Sequence, residues 1–437
     1  MTYQEAFDYL VKSYTVGKKR SFEDLLLFLE RFDSPQEKLK IIHVAGTNGK
    51  GSTCAMLAGI LCKQGYRTGM FTSPDLHKFN ERFSINGEYI SDEDFAKYMA
   101  VIKETSELLF GDEMVSFFQL LTLIAFMYFY DEKVDFLLLE TGIGGRLDST
   151  NIITKPVLSI ITAEDYDHME ILGDTIEQIV DEDCGIIKKN CPCVLYLQGE
   201  LVYNVVKRHT EAKEAELFCP EYINYEMVKN DLMGMEFAIK SDLFTYPHVK
   251  LKLLGEYQVY NTATVLTAVV ALRKYGVKID EGNVLSSLAE TTWAGRMEVA
   301  EYKGRTVIFE GAHNAQGTVS LAQSMQFYAR GRHTTLLAAI MKDKEYASMV
   351  NGLMQYADSA VLTRPVYGVR AASVSALYHA INDERRVGKI VVTERDCRRA
   401  LACAVKITPP GGIIVCAGSL YLVGDVRAVV KGLGERY

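Results

Sequence analysis

A glycine-rich turn with a lysine lies near the start of the chain, between two apolar segments. The run Ile-Ile-His-Val-Ala at 41–45 predicts a strand, and the segment from residue 52 onward predicts a helix. Glycines let the backbone point its N–H groups at phosphate oxygens, while the lysine and the helix N-terminus add positive charge. The stretch therefore predicts a nucleoside triphosphate site formed by Gly46, Thr47, Asn48, Gly49, Lys50, Gly51 and Ser52. In the usual motif a hydroxyl residue follows the lysine directly, whereas here it is displaced by one position to Ser52.

Carboxylates follow two further apolar segments that predict buried strands. Glu140 ends the run at 134–139, and the run at 157–162 leads into Ala-Glu-Asp-Tyr-Asp-His at 163–168. Open parallel sheets bind ligands at the carboxyl ends of their strands. Magnesium prefers oxygen ligands, so Glu140 and Ser73, which follows another short strand, are candidate metal ligands at this edge. Each residue alone fits an ordinary surface position, and the prediction depends on their coincidence.

Composition argues against several classes of protein. With 437 residues the chain exceeds the usual size of a single core, so two domains are expected. A net charge of −8 without a dense basic run argues against nucleic-acid binding, and neither a signal peptide nor an apolar run of membrane-spanning length is found. Nine scattered cysteines favour a reducing compartment over a disulfide framework. The sequence therefore predicts a cytoplasmic protein that binds neither nucleic acid nor membrane.

Strand and helix patterns alternate through most of the chain. Unbroken apolar strands between helices indicate a parallel sheet covered on both faces. We predict an α/β fold in which a P-loop parallel-sheet ATPase domain, residues 1–296, precedes a smaller Rossmann-like α/β domain, residues 297–437. Helices are predicted at 3–32, 92–108, 117–130, 174–189, 258–274 and 315–328, and weaker alternating segments between about 200 and 250 are interpreted as antiparallel strands.

Short motifs recur in both predicted domains. They are the phosphate loop, Thr-Ser-Pro at 72–74, Asn-Glu-Arg at 80–82, Glu140 with Gly-Ile-Gly-Gly-Arg-Leu-Asp at 142–148, Asp-His at 167–168, Gly-Arg at 295–296, Gly-Ala-His-Asn at 311–314 and Gly-Ser-Leu-Tyr-Leu-Val-Gly at 418–424. With these motifs in this order and spacing, the chain resembles the bacterial folylpolyglutamate synthase/dihydrofolate synthase family from about residue 17 to its C-terminus. That family belongs to the Mur ligase superfamily.

The resemblance implies an ATP-dependent amide ligase that binds ATP between its two domains. Such an enzyme moves the γ-phosphoryl group of ATP onto a carboxylate, from which the amino group of L-glutamate then displaces it. The acid would be the γ-carboxylate of a folate, with dihydropteroate as a further acceptor. The resemblance adds His168 to Ser73 and Glu140 as Mg²⁺ ligands, gives Asn261, Arg296 and Glu310 as nucleotide-binding residues, and makes Lys50 and His313 catalytic.

The chain departs from the family's pattern at several informative positions. Asp183 stands where the family has a lysine that is carbamylated to give a magnesium-binding carboxylate. Its shorter side chain predicts either water-mediated binding of a second magnesium or a weak second site, so Asp183 is included among the catalytic residues. Asp75, Gln119 and Tyr257 change the hydrogen-bonding groups near the expected substrates, whereas Glu310 replaces Asp and keeps its charge.

Two alternatives stay open on the sequence alone. One is a related amino-acid ligase that acts on another acid, and the other is a nucleotide-binding homologue with reduced or lost catalysis. The departures at Asp183 and Gln119 motivate the second alternative, whereas the intact Lys50 and His313 argue against it. A monomer is the default expectation. Weaker candidates for contacts with glutamate or nucleotide are Lys342, Asp343, Lys344 and Ser373.

Overall fold

The first of three β-sheets contains the phosphate loop. The computed structural model describes residues 1–366 and 370–434. The strands of this sheet are β1 (Ile41–Ala45), β2 (Thr68–Phe71), β3 (Phe83–Ile85), β4 (Glu88–Tyr89), β5 (Phe136–Glu140), β6 (Leu158–Ile161), β7 (Cys193–Leu195) and β8 (Leu217–Phe218). Their order is β4-β3-β2-β5-β1-β6-β7-β8. All neighbouring strands are parallel except the pairs β2–β3 and β3–β4.

Helices cover both faces of this sheet. They are α1 (Tyr3–Val16), α2 (Phe22–Glu30), α3 (Lys50–Lys63), α4 (Asp92–Phe110), α5 (Phe117–Asp131), α6 (Met169–Leu172), α7 (Ile176–Asp183), α8 (Glu200–Ala212), α9 (Tyr257–Lys274) and α10 (Glu281–Glu290). Alternate side chains of β1 and β5 pack against α4 and α5 on one face and against α3 and α9 on the other. Because both faces are covered, these strands are buried along their whole length and are apolar apart from His43 in β1 and Glu140 at the end of β5.

A small antiparallel sheet packs against the α3–α9 side of the first sheet. Its strands are β9 (Asn224–Asp231), β10 (Gly234–Lys240) and β11 (Thr245–Leu251), in the order β11-β10-β9. Burial alternates along β10, with Met235, Phe237 and Ile239 packed into the same hydrophobic cluster as α3 and α9. This alternation is typical of a strand with one covered face, and it confirms the prediction of antiparallel strands in this part of the chain.

The third sheet forms a separate α/β unit. Its strands are β12 (Glu298–Tyr302), β13 (Arg305–Phe309), β14 (Thr334–Ala338), β15 (Ser359–Leu362), β16 (Ile390–Thr393) and β17 (Ile413–Ala417), in the order β12-β13-β17-β14-β15-β16. Only β12 is antiparallel to its neighbour. The associated helices are α11 (Ala315–Tyr328), α12 (Tyr346–Leu353), α13 (Val374–Ala380), α14 (Asp383–Arg386), α15 (Cys397–Ile407) and α16 (Leu420–Lys431).

The α/β fold class is confirmed, but several predicted elements are wrong. The helix predicted at 3–32 is two helices, and the helix predicted at 174–189 begins at Ile176 and gives way to a 3₁₀ turn at Cys184–Ile186. The segment at 200–212 is a helix rather than a strand. Its buried Val202, Val205 and Val206 recur at helical spacing, and a search for the alternating pattern of strands does not detect that spacing. Strand β12 and helices α10 and α16 were not predicted.

The predicted domain boundary after residue 296 falls between α10 and β12, where the chain passes from the first sheet's helices to the third sheet. Throughout residues 1–366 and 370–434, no helix combines the length and the apolar character needed to cross a bilayer.

A buried histidine lies in the middle of β1. His43 Nε2 is 2.8 Å from Thr150 Oγ1, and Thr150 donates its hydroxyl hydrogen to Asp148 at 2.6 Å, so Nε2 carries the imidazole proton. Burial lowers the pKa of His43 to about 3, and the charge of Lys188 acts in the same direction. The folded protein therefore keeps this imidazole neutral in mildly acidic solution.

We expect acid to destabilise the fold through His43. The unfolded chain binds a proton here below a pKa of about 6.5, whereas the folded chain resists protonation, so stability decreases as the pH falls below that value. Between pH 7 and pH 5 the loss from this residue should be about 2 kcal/mol. Urea unfolding at both pH values measures it. His43→Gln should remove this part of the decrease, whereas His248→Gln, at an exposed histidine on β11, should not. An unchanged pH dependence in His43→Gln would contradict the prediction.

Candidate active site

The phosphate loop connects β1 to α3 and requires glycine at two positions. Gly46 has φ 128° and Gly49 has φ 91°, a region of backbone conformation that side chains disfavour. A Cβ atom on Gly46 would lie 2.2 Å from Thr162 Oγ1, and one on Gly49 would lie 2.6 Å from Asn261 Oδ1. Both backbone conformation and space therefore favour glycine at these positions.

Hydrogen bonds fix the loop to the end of β6. The N–H groups of Thr47 and Asn48 both donate to the Ala163 carbonyl, at 3.0 and 2.9 Å. Lys50 Nζ donates to the Gly46 carbonyl at 2.6 Å. The first N–H groups of α3 have no acceptor within the helix. Because the first turn of α3 lines a cavity, it offers these donors to an anion.

That cavity, of about 260 Å³, lies between the phosphate loop and the third-sheet unit. All of the site residues nominated from the sequence line it: Gly46, Thr47, Asn48, Gly49, Lys50, Gly51, Ser52, Ser73, Glu140, His168, Asp183, Asn261, Arg296, Glu310 and His313. The structure therefore brings them together, while their individual chemical roles stay predictions.

Glu140 ends β5 in the wall of the cavity and is 3% exposed. Its Oε2 accepts a hydrogen bond from the Ser73 backbone N–H at 3.1 Å. Burial raises the pKa of Glu140, and the charge of Lys50 opposes this shift. Burial also lowers the pKa of His168, which favours a neutral imidazole that can coordinate a metal. The predicted metal ligands thus offer oxygen and nitrogen atoms to one cavity.

These residues do not form a complete metal cage. Within the part of the chain that the structure describes, no group of three or more His, Cys, Asp and Glu side chains is arranged to hold a metal ion. Magnesium is usually bound by one or two carboxylates together with water and substrate phosphates. The donors present therefore fit magnesium that is shared with a nucleotide, rather than a permanently enclosed ion.

Asp167 is a central residue of the site, which the sequence placed only within the acidic cluster at the end of a strand. Asn314 Nδ2 donates to its Oδ2 at 3.2 Å, and Lys344 forms an ion pair with its Oδ1. Burial opposes ionisation, but His168, Lys344 and His313 together lower the pKa of Asp167 to about 2. The carboxylate therefore stays charged and connects the β6–α6 loop to the third-sheet unit. Its place in the Asp-His motif at 167–168 was the available signal.

The phosphate loop also contacts the third-sheet unit directly. Asn48 Nδ2 donates to Gln316 Oε1 at 2.6 Å, and Asn314 Nδ2 donates to Asn48 Oδ1 at 3.1 Å. His313 is held by its Nδ1, 2.8 Å from the Gly311 carbonyl, so this nitrogen carries the proton. Burial lowers the pKa of His313 to about 4. The cavity therefore receives a neutral, oriented imidazole from the second unit.

Two of the departures from the family's pattern bond to each other. Tyr257 begins α9, and its hydroxyl donates to Glu310 Oε2 at 3.1 Å. The same carboxylate oxygen accepts the Met297 N–H at 2.8 Å. Burial raises the pKa of Glu310, while the charge of Arg296 opposes the shift. Tyr257 and Glu310 are thus the two partners of one hydrogen bond that links the two units.

Gln119 and Asp75 lie outside this cavity, and Asp75 lines a neighbouring one. Gln119 accepts the Arg20 N–H and donates to the Arg20 carbonyl, both at 2.8 Å, so it ties α5 to the segment before α2. Asp75 forms a buried ion pair with Arg82 Nε at 2.7 Å. The expectation that Gln119 alters substrate contacts receives no support from this placement, because its amide is used within the fold.

The weaker candidates also differ in whether they reach the site. Lys344 reaches the site through its ion pair with Asp167. Ser373 caps α13, where its hydroxyl accepts the Ala376 N–H at 3.0 Å, and the backbone N–H of Lys342 donates to the Arg370 carbonyl at 2.8 Å. Neither Lys342 nor Ser373 lines the cavity.

The architecture and the cavity define a class of protein. A P-loop sheet closed by a second α/β unit over its phosphate loop is the arrangement of the Mur-type ligases. Family models agree: the Mur ligase middle domain matches residues 44–269, and the Mur ligase glutamate ligase domain matches residues 295–420.

Comparison with individual relatives identifies the family within this class. The dihydrofolate synthase/folylpolyglutamate synthase of Bacillus subtilis (strain 168) is 33% identical over 98% of this chain and 99% of its own length. The folylpolyglutamate synthase of Lacticaseibacillus casei is 31% identical over 99% of both chains. The Thermotoga maritima folylpolyglutamate synthase structure has a TM-score of 0.85 at 30% identity, covering 100% of this chain and 98% of that one. The chain belongs to the folylpolyglutamate synthase/dihydrofolate synthase family of ATP-dependent ligases.

A structure with bound ligands shows the same fold. The E. coli FolC complex with DHPP and ADP has a TM-score of 0.86 at 25% identity, covering 99% of this chain and 98% of that one. The similarity extends over both α/β units. The shared fold therefore includes the arrangement of the units around the cavity.

Tyr257→Phe should destabilise the contact between the units. The change leaves Glu310 buried with one hydrogen-bond donor fewer, which should lower the free energy of unfolding by about 1–3 kcal/mol. Chemical denaturation measures this loss. Tyr275→Phe is the matched control, because that hydroxyl, at the end of the same helix, bonds to an exposed glutamate, Glu216. Equal stability of the two variants would contradict the role of Tyr257.

Proposed function

We propose that the protein joins L-glutamate to the γ-carboxylate of a folate in an ATP-dependent reaction, with dihydropteroate as a further acceptor. The observation that carries this proposal is the single cavity where the phosphate loop, Glu140 and two histidines meet, in a chain of this family. An acyl phosphate makes the acid reactive. A free carboxylate does not condense with an amine in neutral water.

The reaction consists of two displacements. In the first, an oxygen of the acceptor carboxylate bonds to the γ-phosphorus as its bond to the bridging oxygen breaks, and ADP leaves. In the second, the amino nitrogen of glutamate bonds to the acyl carbon, inorganic phosphate leaves, and the nitrogen loses its excess protons. Phosphoryl transfer depends mainly on positioning and charge neutralisation. Lys50 and the first turn of α3 would supply both to the phosphates.

We assign magnesium to Ser73, Glu140 and His168, with Asp183 as a further catalytic residue. The hard oxygen donors that meet at the nucleotide cavity support this assignment. When bound, magnesium would neutralise charge on the β- and γ-phosphates. The neutral form of His168, which burial favours, suits such a role.

We assign nucleotide contacts to Asn261, Arg296 and Glu310, and a catalytic role to His313. Arg296 lines the nucleotide cavity and also a neighbouring one, so its charge can serve both bound molecules. Asn261 lies against Gly49 of the phosphate loop. Glu310 holds the segment that carries Arg296 through its bond to Met297. His313 faces the same cavity as a neutral base.

The neighbouring cavity, of about 860 Å³, is our proposed acceptor site. It shares Ser73, Glu140 and Arg296 with the nucleotide cavity, so an acid bound there could place its carboxylate at the junction. Its wall includes Trp293, the only tryptophan of the chain, which offers a flat apolar surface to a ring system. Trp293 also lies against Gly51, next to the phosphate-binding lysine.

We further propose a monomeric, cytoplasmic protein whose domains divide after residue 296. The free state of all nine cysteines supports a reducing compartment. The start of the third sheet at Glu298 supports the boundary.

The activity test is glutamate-dependent phosphate release with tetrahydrofolate, with dihydropteroate and with neither acceptor, while mass spectrometry follows each acceptor. We expect a mass gain of one glutamyl residue with tetrahydrofolate, and product from dihydropteroate if both activities are present. ATP binding without product from either acceptor would support the alternative of another acid or of lost catalysis. Fluorescence of Trp293 gives an independent measure of acceptor binding.

Lys50→Met should reduce kcat by about 10²–10³-fold, because it removes a charge that stabilises the transferring phosphoryl group. Steady-state rates measure the loss, and calorimetric titration with ADP shows whether the nucleotide still binds. Lys207→Met, on α8 where the lysine pairs with exposed Glu211 away from both cavities, is the matched control and should retain activity. Comparable rates in the two variants would exclude the assigned role of Lys50.

A further inference from the structure

Two buried acidic side chains meet directly beneath the phosphate loop. Glu164 is 4% exposed and Asp183 is 2% exposed, and their carboxyl groups are within hydrogen-bonding contact. Among the described residues, neither Glu164 Oε1 nor Asp183 Oδ1 receives a hydrogen bond from a donor group of the protein. Two adjacent carboxylates need a proton or a cation between them, because ionised acids in contact repel each other.

The surrounding residues hold this acid pair in place without neutralising it. Thr47 Oγ1 lies 3.2 Å from Glu164 Oε2, and Gln198 bonds to both the N–H and the carbonyl of Glu164. Lys50 contributes positive charge, but its Nζ is bonded to the Gly46 carbonyl. Burial raises the pKa of Asp183, and burial together with the charge of Asp183 raises that of Glu164. The unpartnered oxygens Glu164 Oε1 and Asp183 Oδ1 are therefore left, among the described residues, without a neutralising group of the protein.

The location of the pair indicates where that charge would come from. Asp183 lines the nucleotide cavity together with Lys50 and Ser52, whereas Glu164, in the loop that follows β6, contacts Asp183 without lining the cavity. One or two carboxylates together with substrate phosphates are the usual environment of magnesium. Asp183 alone is short and supplies a single charge, whereas the pair supplies two charges on a rigid support.

We propose that Glu164 and Asp183 act together as one ligand pair for a divalent cation that enters with the nucleotide. Asp183 faces the cavity, and Glu164 supplies the second carboxylate from behind it. The inference rests on the proposed function, because the nucleotide supplies the remaining oxygen ligands. It gives Glu164, which the sequence placed only within the acidic cluster at 163–168, a particular function in cation binding.

The direct test measures how many Mn²⁺ ions the protein binds and how tightly it binds them. Electron paramagnetic resonance of Mn²⁺ would be recorded with the full-length protein and the β,γ-methylene analogue of ATP, for the wild type, Glu164→Gln and Asp183→Asn. We expect each substitution to weaken one class of bound Mn²⁺ by about 10–100-fold. Glu177→Gln, at a half-exposed position on the same helix as Asp183, removes the same charge and should bind Mn²⁺ as the wild type does.

Thermal unfolding provides a second readout that does not depend on turnover. Without metal and nucleotide, Glu164→Gln should raise Tm, because the amide can donate to Asp183 and one buried acid is removed. With Mg²⁺ and the ATP analogue, the wild type should gain more in Tm than Glu164→Gln does. The melting transition of the metal-free variant also shows that the protein is folded.

The outcomes separate the proposals. Wild-type Mn²⁺ affinity in Glu164→Gln would show that the pair only shares a proton and would overturn the inference. Weakened Mn²⁺ binding in both pair variants, with Glu177→Gln unaffected, would support it even if the wild type forms no glutamyl product. That last result would contradict the proposed function alone, because the cation measurement needs the nucleotide but neither acceptor nor glutamate.

Discussion

The hydrogen bonds from the Thr47 and Asn48 N–H groups to the Ala163 carbonyl position most of the site. They hold the phosphate loop against the end of β6, so the residues that follow that strand, from Glu164 to His168, lie beside the loop. The same tie directs the first turn of α3 into the cavity, where its N–H groups can meet phosphate. Gly46 makes the approach possible, since a Cβ atom there would collide with Thr162.

The sequence predicts these elements well where a physical pattern lies within one segment. Strands β1 and β5 are buried on both faces, so their apolar runs are visible without a partner, and glycines mark the loop. Helix α8 was missed because its buried residues follow helical spacing within a polar segment. The roles of Asp167 and Glu164 were missed for another reason: their partners, such as Lys344 and Asp183, are distant in sequence. Periodicity carries no information about such pairs.

The departures from the family's pattern differ in what they mean physically. Gln119 is bonded within the fold, and Asp75 is paired with Arg82, so each has a structural partner. Tyr257 and Glu310 are one feature rather than two, because the hydroxyl of the first meets the carboxylate of the second. Asp183 is different, because its carboxyl group contacts that of another acid, Glu164. Of these departures, Asp183 is the one whose repulsion with a neighbouring acid is not neutralised within the protein.

The repulsion between the two buried acids favours the cation-bound protein over the empty one. Burying two acids in contact destabilises the nucleotide-free protein, since removing a carboxylate from water is unfavourable unless it is paired. A bound divalent cation would relieve the repulsion, so part of its binding free energy would come from a strain already present in the empty site. The phosphate loop adds the opposite contribution, because Lys50 and the first turn of α3 favour an anion. Positive groups and the acid pair in the same site therefore favour a nucleotide together with its cation over either component alone.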